Sequence, residues 1–532
     1  MPNIKKIISN VLVLLGVAWS INLLALTQDP VLVQVETNKG LVVGVKSENI
    51  IEFKGIPFAE PPVGQLRWMP PKDMSAWDKP LIADKFHDVC ATNLSLGGFA
   101  LTSKTEDCLY LNVFTPPKLH KVSAKLPVMV WIHGGGLGTG SGNDYDATRL
   151  VAKNVIVVTM NYRVGVFGFF SHPAINAEDH PNVNYGIMDQ QAVLRWVHQN
   201  IDRFGGDPGN VTLFGQSAGG HSVLAQIVSP TANNLFQKAI VSSGSYSLIQ
   251  PSVEESSALG EQIAVNVGCG TLTGKEAAAC LRGLPSDMLL EKLPTNFVSD
   301  QVTTDGSIIP LQFSDAFKEG HFNRVTIING FNSNEGTFFA ALSMLKTGRP
   351  INYQDYLIGL KVFLGANIGE KLFAVANPLR NSKDLGVEFA SFFGRAKFIC
   401  PTPIISSWLS KYVPVYEYEF ADMTAPSFLP AISLSYKASH TSEIQYIFKG
   451  FHGASGKVSE LNKDQLNLSS RMVDYWVNFS RTGNPNDQNT NTWVPFDSKD
   501  ESTMLFSTIH SRMITNVSEK YECGPIASVL TP

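Results

Sequence analysis

Five short runs, each nearly all apolar and rich in β-branched residues, limit what this chain can fold into: "VMVWI" at 128–132, "VIVVTM" at 155–160, "VTLF" at 211–214, "KAIVSS" at 238–243 and "VTIING" at 325–330. A strand wetted on one face alternates apolar with polar residues, whereas one covered on both faces has no reason to. These runs therefore read as strands buried on both sides. Between two of them lies "DQQAVLRWVHQNIDRFGG", where Val193, Trp196, Val197, Ile201 and Phe204 share one helical face and Gly205 and Gly206 stop the helix. Strands alternating with helices imply an α/β fold with a large, mostly parallel sheet flanked by helices.

Apolar residues make up 44% of the 532 and charged residues 17%, a balance that builds a folded core and not a disordered chain. The net charge is −4 without long basic runs, so no nucleic-acid partner is expected. Lys5 and Lys6 precede the apolar stretch Val11 to Trp19, the order of a secretory signal peptide, which we place at residues 1–26 with cleavage near Ala25. No later segment reaches the roughly 18 uninterrupted apolar residues of a membrane span, and the end "ECGPIASVLTP" carries neither an anchor tail nor a retention tetrapeptide. The expectation is a secreted or extracytoplasmic protein without a membrane span. Six cysteines, Cys90, Cys108, Cys269, Cys280, Cys400 and Cys523, fit an oxidising compartment and three bridges, with the connectivity left open. None is spaced like a zinc site, so no metal is expected.

Ser217 stands in "VTLFGQSAGGHS", after the strand 211–214 and before a helix that carries Val223, Leu224 and Ile227 on one side. Strand, tight turn and helix is the setting of a nucleophile elbow, where Gly215 and Gly219 let backbone pass close to its neighbours. An ordinary glycine-bearing turn reads the same locally. The string "LPVMVWIHGGGLGTGSG" separates the two, because it runs from a buried strand into His133, Gly134, Gly135 and Gly136. Acyl transfer places negative charge on a carbonyl oxygen, and fixed backbone N–H groups stabilise it. A phosphate-binding loop would end in Gly-Lys-Ser/Thr, which is missing.

A serine hydroxyl needs a base to remove its proton and an acid to orient that base. On an α/β-hydrolase the chain order is serine, acid, histidine. Five histidines follow Ser217. His221 is one helical turn away and packs or caps there; His321 comes too early for an acid to precede it. Chain order leaves His440, His452 and His510 open.

From about residue 30 to its end the sequence resembles the type-B carboxylesterases, the group that also contains the cholinesterases. "FKGIPFAEPPVGQLRW", "EDCLYLNVF", "NYRVGVFGF", "FGGDPGNVTLFGQSAGGHS" and "SHTSEIQYIF" each resemble a block of that family, in its order. The resemblance implies the α/β-hydrolase fold as a single catalytic domain over residues 27–532. It implies Glu335 in "GFNSNEGTFF" as the acid, His440 as the base, and the N–H groups of Gly135, Gly136 and Ala218 as the oxyanion hole. It also implies the bridges Cys90–Cys108, Cys269–Cys280 and Cys400–Cys523, and buried ion pairs of Arg67 with Glu106 and Arg163 with Asp189. The implied activity is hydrolysis of carboxylic esters through an acyl-enzyme, with no cofactor.

Departures from the family narrow the substrate. Cholinesterases carry a tryptophan in the first disulfide loop, whose indole face holds a quaternary ammonium. The loop between Cys90 and Cys108 has none, and Gln216 is neutral where cholinesterases place an acid. A small, neutral ester is expected, with a lipase, a hormone-ester hydrolase or a non-catalytic binding or storage protein as the alternatives. Leu137 replaces the aromatic residue often found after the glycine run. The insertions between residues 340 and 410 are expected to shape the pocket.

Overall fold

The computed structural model describes residues 31–95, 101–117, 125–181, 183–294, 302–376, 384–451, 459–488 and 490–531. The leader expected at 1–26 and His452 lie outside them. Among the described residues thirteen strands form one sheet: β1 (Val31–Glu36), β2 (Leu41–Lys46), β3 (Ile51–Pro57), β4 (Leu81–Ile82), β5 (Tyr110–Thr115), β6 (Leu126–Ile132), β7 (Ile156–Met160), β8 (Gly206–Gln216), β9 (Lys238–Ser242), β10 (Thr326–Asn332), β11 (Val415–Phe420), β12 (Thr503–Phe506) and β13 (Arg512–Ile514). Their order is β1-β2-β3-β5-β7-β6-β8-β9-β10-β11-β12-β13, with β4 against β2. From β7 to β12 every neighbour is parallel; β1, β2, β3 and β5 at one edge and β13 at the other run antiparallel. The protein has the α/β-hydrolase fold.

The five apolar runs lie in β6 to β10, and their composition follows from what covers them. Val128, Val130 and Ile132 enter one core cluster while Met129 and Trp131 enter the cluster on the opposite face. Val211 and Leu213 separate from Phe214 in the same way, and Ala239 and Val241 from Ile240. Side chains alternate faces along a strand, and here both faces are dry. Helix Tyr185–Asn200 and helix Ala218–Val228 cover one side; the long helix Lys463–Thr482 packs Met472, Val473 and Trp476 on the other. Gly205 alone stops the first helical segment, in the left-handed conformation (φ 86°), whereas Gly206 already begins β8. Helix Ala218–Val228 is buried on every side, and its polar residues Ser222 and Gln226 are satisfied by Gln190 and Gln191 of the neighbouring helix and not by solvent.

The connection from β6 leads to β7 on one side, and the next strand, β8, returns to lie on the other. This reversal opens a crevice beyond the carboxyl ends of β6 and β8, the place where α/β sheets bind ligands. Disulfides join Cys90 to Cys108, Cys269 to Cys280 and Cys400 to Cys523. Arg163 forms a two-pronged pair with Asp189 (Nε to Oδ2 2.8 Å, Nη2 to Oδ1 2.7 Å), and Arg67 pairs with Glu106. No described helix is long and apolar enough to cross a membrane.

Candidate active site

Ser217 closes the turn between β8 and helix Ala218–Val228 with φ 57° and ψ −124°, a conformation non-glycine residues rarely adopt. Its N–H donates to Ser242 O at the end of β9 (2.8 Å), and its own carbonyl accepts the His221 N–H (2.8 Å). The turn is as tight as backbone permits: a Cβ on Gly219 would stand 2.0 Å from Ile132 O, and one on Gly215 2.5 Å from the Gly219 carbonyl carbon. Ala218 follows as the first helical residue, so its N–H has no partner within the helix.

The glycine run leaves β6 beside this turn. Gly135 and Gly136 both hold positive φ, at 110° and 63°. The Gly135 carbonyl accepts from Gly138 and Thr139 (both 3.1 Å), Leu137 O accepts from Gly165 N–H (2.7 Å) and Gly138 O from the Thr92 hydroxyl (2.7 Å). The loop is thus fixed through its carbonyls. His133 braces it from behind: its ring stacks on Tyr162 (4.3 Å between centroids) and Nδ1 lies 2.8 Å from Gly134 O. Burial lowers its pKa to about 4, which keeps it neutral.

Glu335 follows β10 and is fully buried. Its Oε2 is 2.5 Å from His440 Nδ1, and its Oε1 accepts from the Ser243 hydroxyl (2.6 Å) and the Asn332 N–H (2.8 Å). Three donors on one buried carboxylate satisfy it as a charged group must be satisfied. His440 comes from the loop after β11; its ring packs on Phe398 (4.6 Å), Phe339 (5.2 Å) and Phe338 (5.8 Å). Its other nitrogen, Nε2, is 3.4 Å from the Gln216 side-chain nitrogen. With Nδ1–H donated to Glu335, Nε2 is the acceptor in that contact.

Ser217, His440, Gly135, Gly136 and Gln216 all line one cavity of about 500 Å³. Among the described residues no hydrogen bond joins Ser217 to His440, whose Nε2 is held by Gln216 instead. His510 lies exposed near β12, far along the sheet edge from these strand ends. His221 is buried against Tyr246 (4.5 Å), its pKa lowered to about 3 by burial and by the charge of Lys397. Apolar walls come from Val166, Leu290, Phe338, Leu342 and Phe363; the segment 336–409 supplies several of them.

Ser243, Asn332, Phe398 and Lys397 were not foreseen. Ser243 lies in a run read only as a strand, although its positive φ (49°) turns its hydroxyl toward a carboxylate 92 positions later. Nothing local announces that.

Residues 31–523 match the family model described as the carboxylesterase family. The chain is similar to a cocaine esterase of Homo sapiens, 33% identical across 88% of this chain and 86% of the human protein. It is similar also to a liver carboxylesterase of Sus scrofa, 34% identical across 88% of each chain. Among solved structures, a PNB esterase superposes with TM-score 0.76 and 29% identity over 93% of this chain and 99% of that one.

Proposed function

Because this chain belongs to the carboxylesterase family, we propose that Ser217 is its nucleophile, His440 its base and Glu335 the acid that orients the base. The protein is a carboxylic ester hydrolase. In the cycle, an ester enters the cavity and displaces the Gln216 amide from His440 Nε2. Nε2 then accepts the Ser217 proton as Oγ attacks the carbonyl carbon, and returns it to the departing alcohol. Water repeats both transfers on the acyl-enzyme and releases the acid. Glu335 keeps the proton on Nδ1 and stabilises the imidazolium. The N–H groups of Gly135, Gly136 and Ala218 receive the oxyanion, each donor contributing on the order of 3 kcal/mol in the transition state.

The observation that carries this reading is the Glu335–His440 hydrogen bond on the wall of the cavity that holds Ser217 at its strained turn. Apolar walls and the neutral Gln216 support esters without a positive charge as substrates. The three disulfides suit an oxidising, extracytoplasmic compartment; we assign residues 1–26 the role of export signal.

A fluorophosphonate probe tests the nucleophile. Labelling is expected at Ser217 in the purified protein and absent in Ser217→Ala, which also loses ester turnover. A folded wild-type protein that neither labels nor hydrolyses short esters would instead be a binding or storage member of the family.

A further inference from the structure

The strained backbone of the site does not end at Ser217. Thr441, the residue after His440, holds φ 76°, a left-handed conformation that is rare for a β-branched side chain. The loop around it is clamped on both sides. Ahead of it, Ala438 O accepts the Asn334 N–H (3.0 Å) and Ser439 O accepts from the Asn332 side chain (2.7 Å); behind it, Thr441 O accepts the Ile444 N–H (3.1 Å). A glycine would take this turn without strain, so the threonine side chain is kept there against a conformational cost. Strain of this kind concentrates at active sites and ligand clamps.

Thr441 is 8% exposed and borders the catalytic cavity. Of the three serine and threonine hydroxyls among the described lining residues, that of Thr92 donates to Gly138 O and that of Ser217 is the nucleophile. The third, Thr441 Oγ1, has no hydrogen-bond partner among the described residues. The other space that Thr441 borders, about 10 Å³, has room for one water at most. A largely buried hydroxyl left without a partner is costly, and a ligand atom at hydrogen-bond distance offsets that cost.

The chemistry of the cycle fixes which part of an ester comes here. His440 Nε2 returns the proton to the departing alcohol, so the alkoxy oxygen stands within hydrogen-bond reach of the imidazole. The carbonyl oxygen faces the N–H groups of Gly135, Gly136 and Ala218 instead. Thr441 adjoins His440 in the chain, with their Cα atoms about 3.8 Å apart, and so belongs to the alcohol side of the cavity.

We propose that Thr441 is a specificity-determining residue whose hydroxyl bonds to a hydroxyl or ether oxygen on the second carbon of the alcohol, favouring esters of diols and glycol ethers over those of the matching alkanols. This rests on the reading of Ser217 as nucleophile and His440 as base. A hydroxyl both donates and accepts, so either kind of oxygen suits it. The contact is distal and leaves the bonds made and broken in the cycle unchanged.

The test compares kcat/KM, followed by titration of the released acid, for esters in which one oxygen replaces one carbon. On the alcohol side the pairs are 2-methoxyethyl butyrate with n-butyl butyrate and 2-hydroxyethyl butyrate with n-propyl butyrate; on the acyl side, methyl 3-methoxypropanoate with methyl pentanoate. Dividing each variant's polar-to-apolar ratio by that of wild type cancels differences in leaving-group acidity. In Thr441→Val at least one alcohol-side ratio falls by roughly threefold to tenfold, while Thr441→Ser keeps it within about twofold of wild type. Thr441→Gly, which suits φ 76°, lowers the same ratio and decides the matter should Thr441→Val fail to fold. The acyl-side ratio stays unchanged throughout. Alcohol-side ratios equal in wild type and in the folded variants that lack the hydroxyl overturn the proposal and make Thr441 a wall residue whose hydroxyl is met by a trapped water. An equal or larger fall on the acyl side overturns it as well. If wild type hydrolyses none of these esters, it is the nucleophile assignment that fails.

Discussion

Raising the pH from 6 to 8 brings a buried carboxyl one side chain away from Glu335 to half ionisation. Glu443 is 2% exposed; the Asn332 side chain donates to its Oε2 while the Asn332 N–H donates to Glu335, and its Oε1 has no partner among the described residues. Burial first, and then the negative charge of Glu335, push its pKa from the ordinary 4.5 up to about 8. The folded protein thus keeps a proton that the unfolded chain releases. This contribution to stability is complete below about pH 4.5 and is lost as the pH rises toward 8. At ~1.4 kcal/mol per pH unit, and with the slope halving as the group reaches half ionisation at the top of the range, the interval from 6 to 8 removes about 2 kcal/mol through this one group. Glu443→Gln replaces the neutral acid by a neutral amide of the same shape and takes that loss away. Urea unfolding at pH 6, 7 and 8 is the assay: the variant's stability should fall by about 2 kcal/mol less than wild type's over the interval. Its kcat/KM at pH 7 should stay within about threefold. Parallel stability curves, or an activity loss of a hundredfold at pH 7, would show that Glu443 is already ionised and refute the reasoning.

The disulfides close loops of very different length: Cys400–Cys523 spans 123 positions and Cys269–Cys280 spans 11. Replacing each pair by serines should lower the unfolding free energy by about 5 and about 3 kcal/mol in the chain-entropy account, measured with urea. Gly135→Ala sets a Cβ 2.2 Å from Thr139 O at φ 110° and should cut kcat by about a hundredfold or more through a displaced N–H. Gly136→Ala, at φ 63° with no atom within 4 Å, should cost only about 1 kcal/mol of backbone strain and less than tenfold in steady-state kinetics. Asp189→Ala strands the buried Arg163 and should destabilise by about 3–5 kcal/mol, whereas Arg349→Ala, which breaks the solvent-screened pair with Asp355, should leave the urea midpoint almost unchanged.

The parallel centre of the sheet was legible because burial on both faces leaves a compositional mark, and β6 to β10 carry it. β11 does not. Its sequence "VYEYEF" alternates glutamate with apolar residues and looks half-wetted, yet Glu417 and Glu419 are both buried, held by Thr503 on β12 and by Lys520 and Tyr521 near the carboxyl terminus. A polar residue satisfied by partners roughly a hundred positions away cannot be told from an exposed one by local pattern. The same limit applied to the site. Ser217 and the glycine run announce themselves by backbone demands, which act locally. Glu335 and His440 make no such demand, so chain order left three histidines open and only the resemblance to a family chose between them. The Gln216 contact with His440 and the placing of Lys397 by a π-helical turn, Arg395–Ile399, arise from packing between distant segments and leave no local trace.

Strand spacing explains how residues so far apart in sequence come into range. Neighbouring strands lie roughly 4.8 Å apart. β8, which ends at Gln216, is separated from β10, which leads to Glu335, by β9 alone. Two spacings place their ends roughly 10 Å apart, too far for a carboxylate to touch a serine and close to what an imidazole with a hydrogen bond at each nitrogen spans. The imidazole of His440 is accordingly delivered from outside these strand ends, by the loop after β11. That loop is tied down where it must be: the Asn334 N–H donates to Ala438 O (3.0 Å), and the Asn332 side chain holds Ser439 O (2.7 Å). The strand skipped over, β9, is used as well. Its end supplies Ser243 to Glu335 and the Ser242 carbonyl to the Ser217 N–H, so the strand that separates Glu335 from Ser217 is itself a support for both.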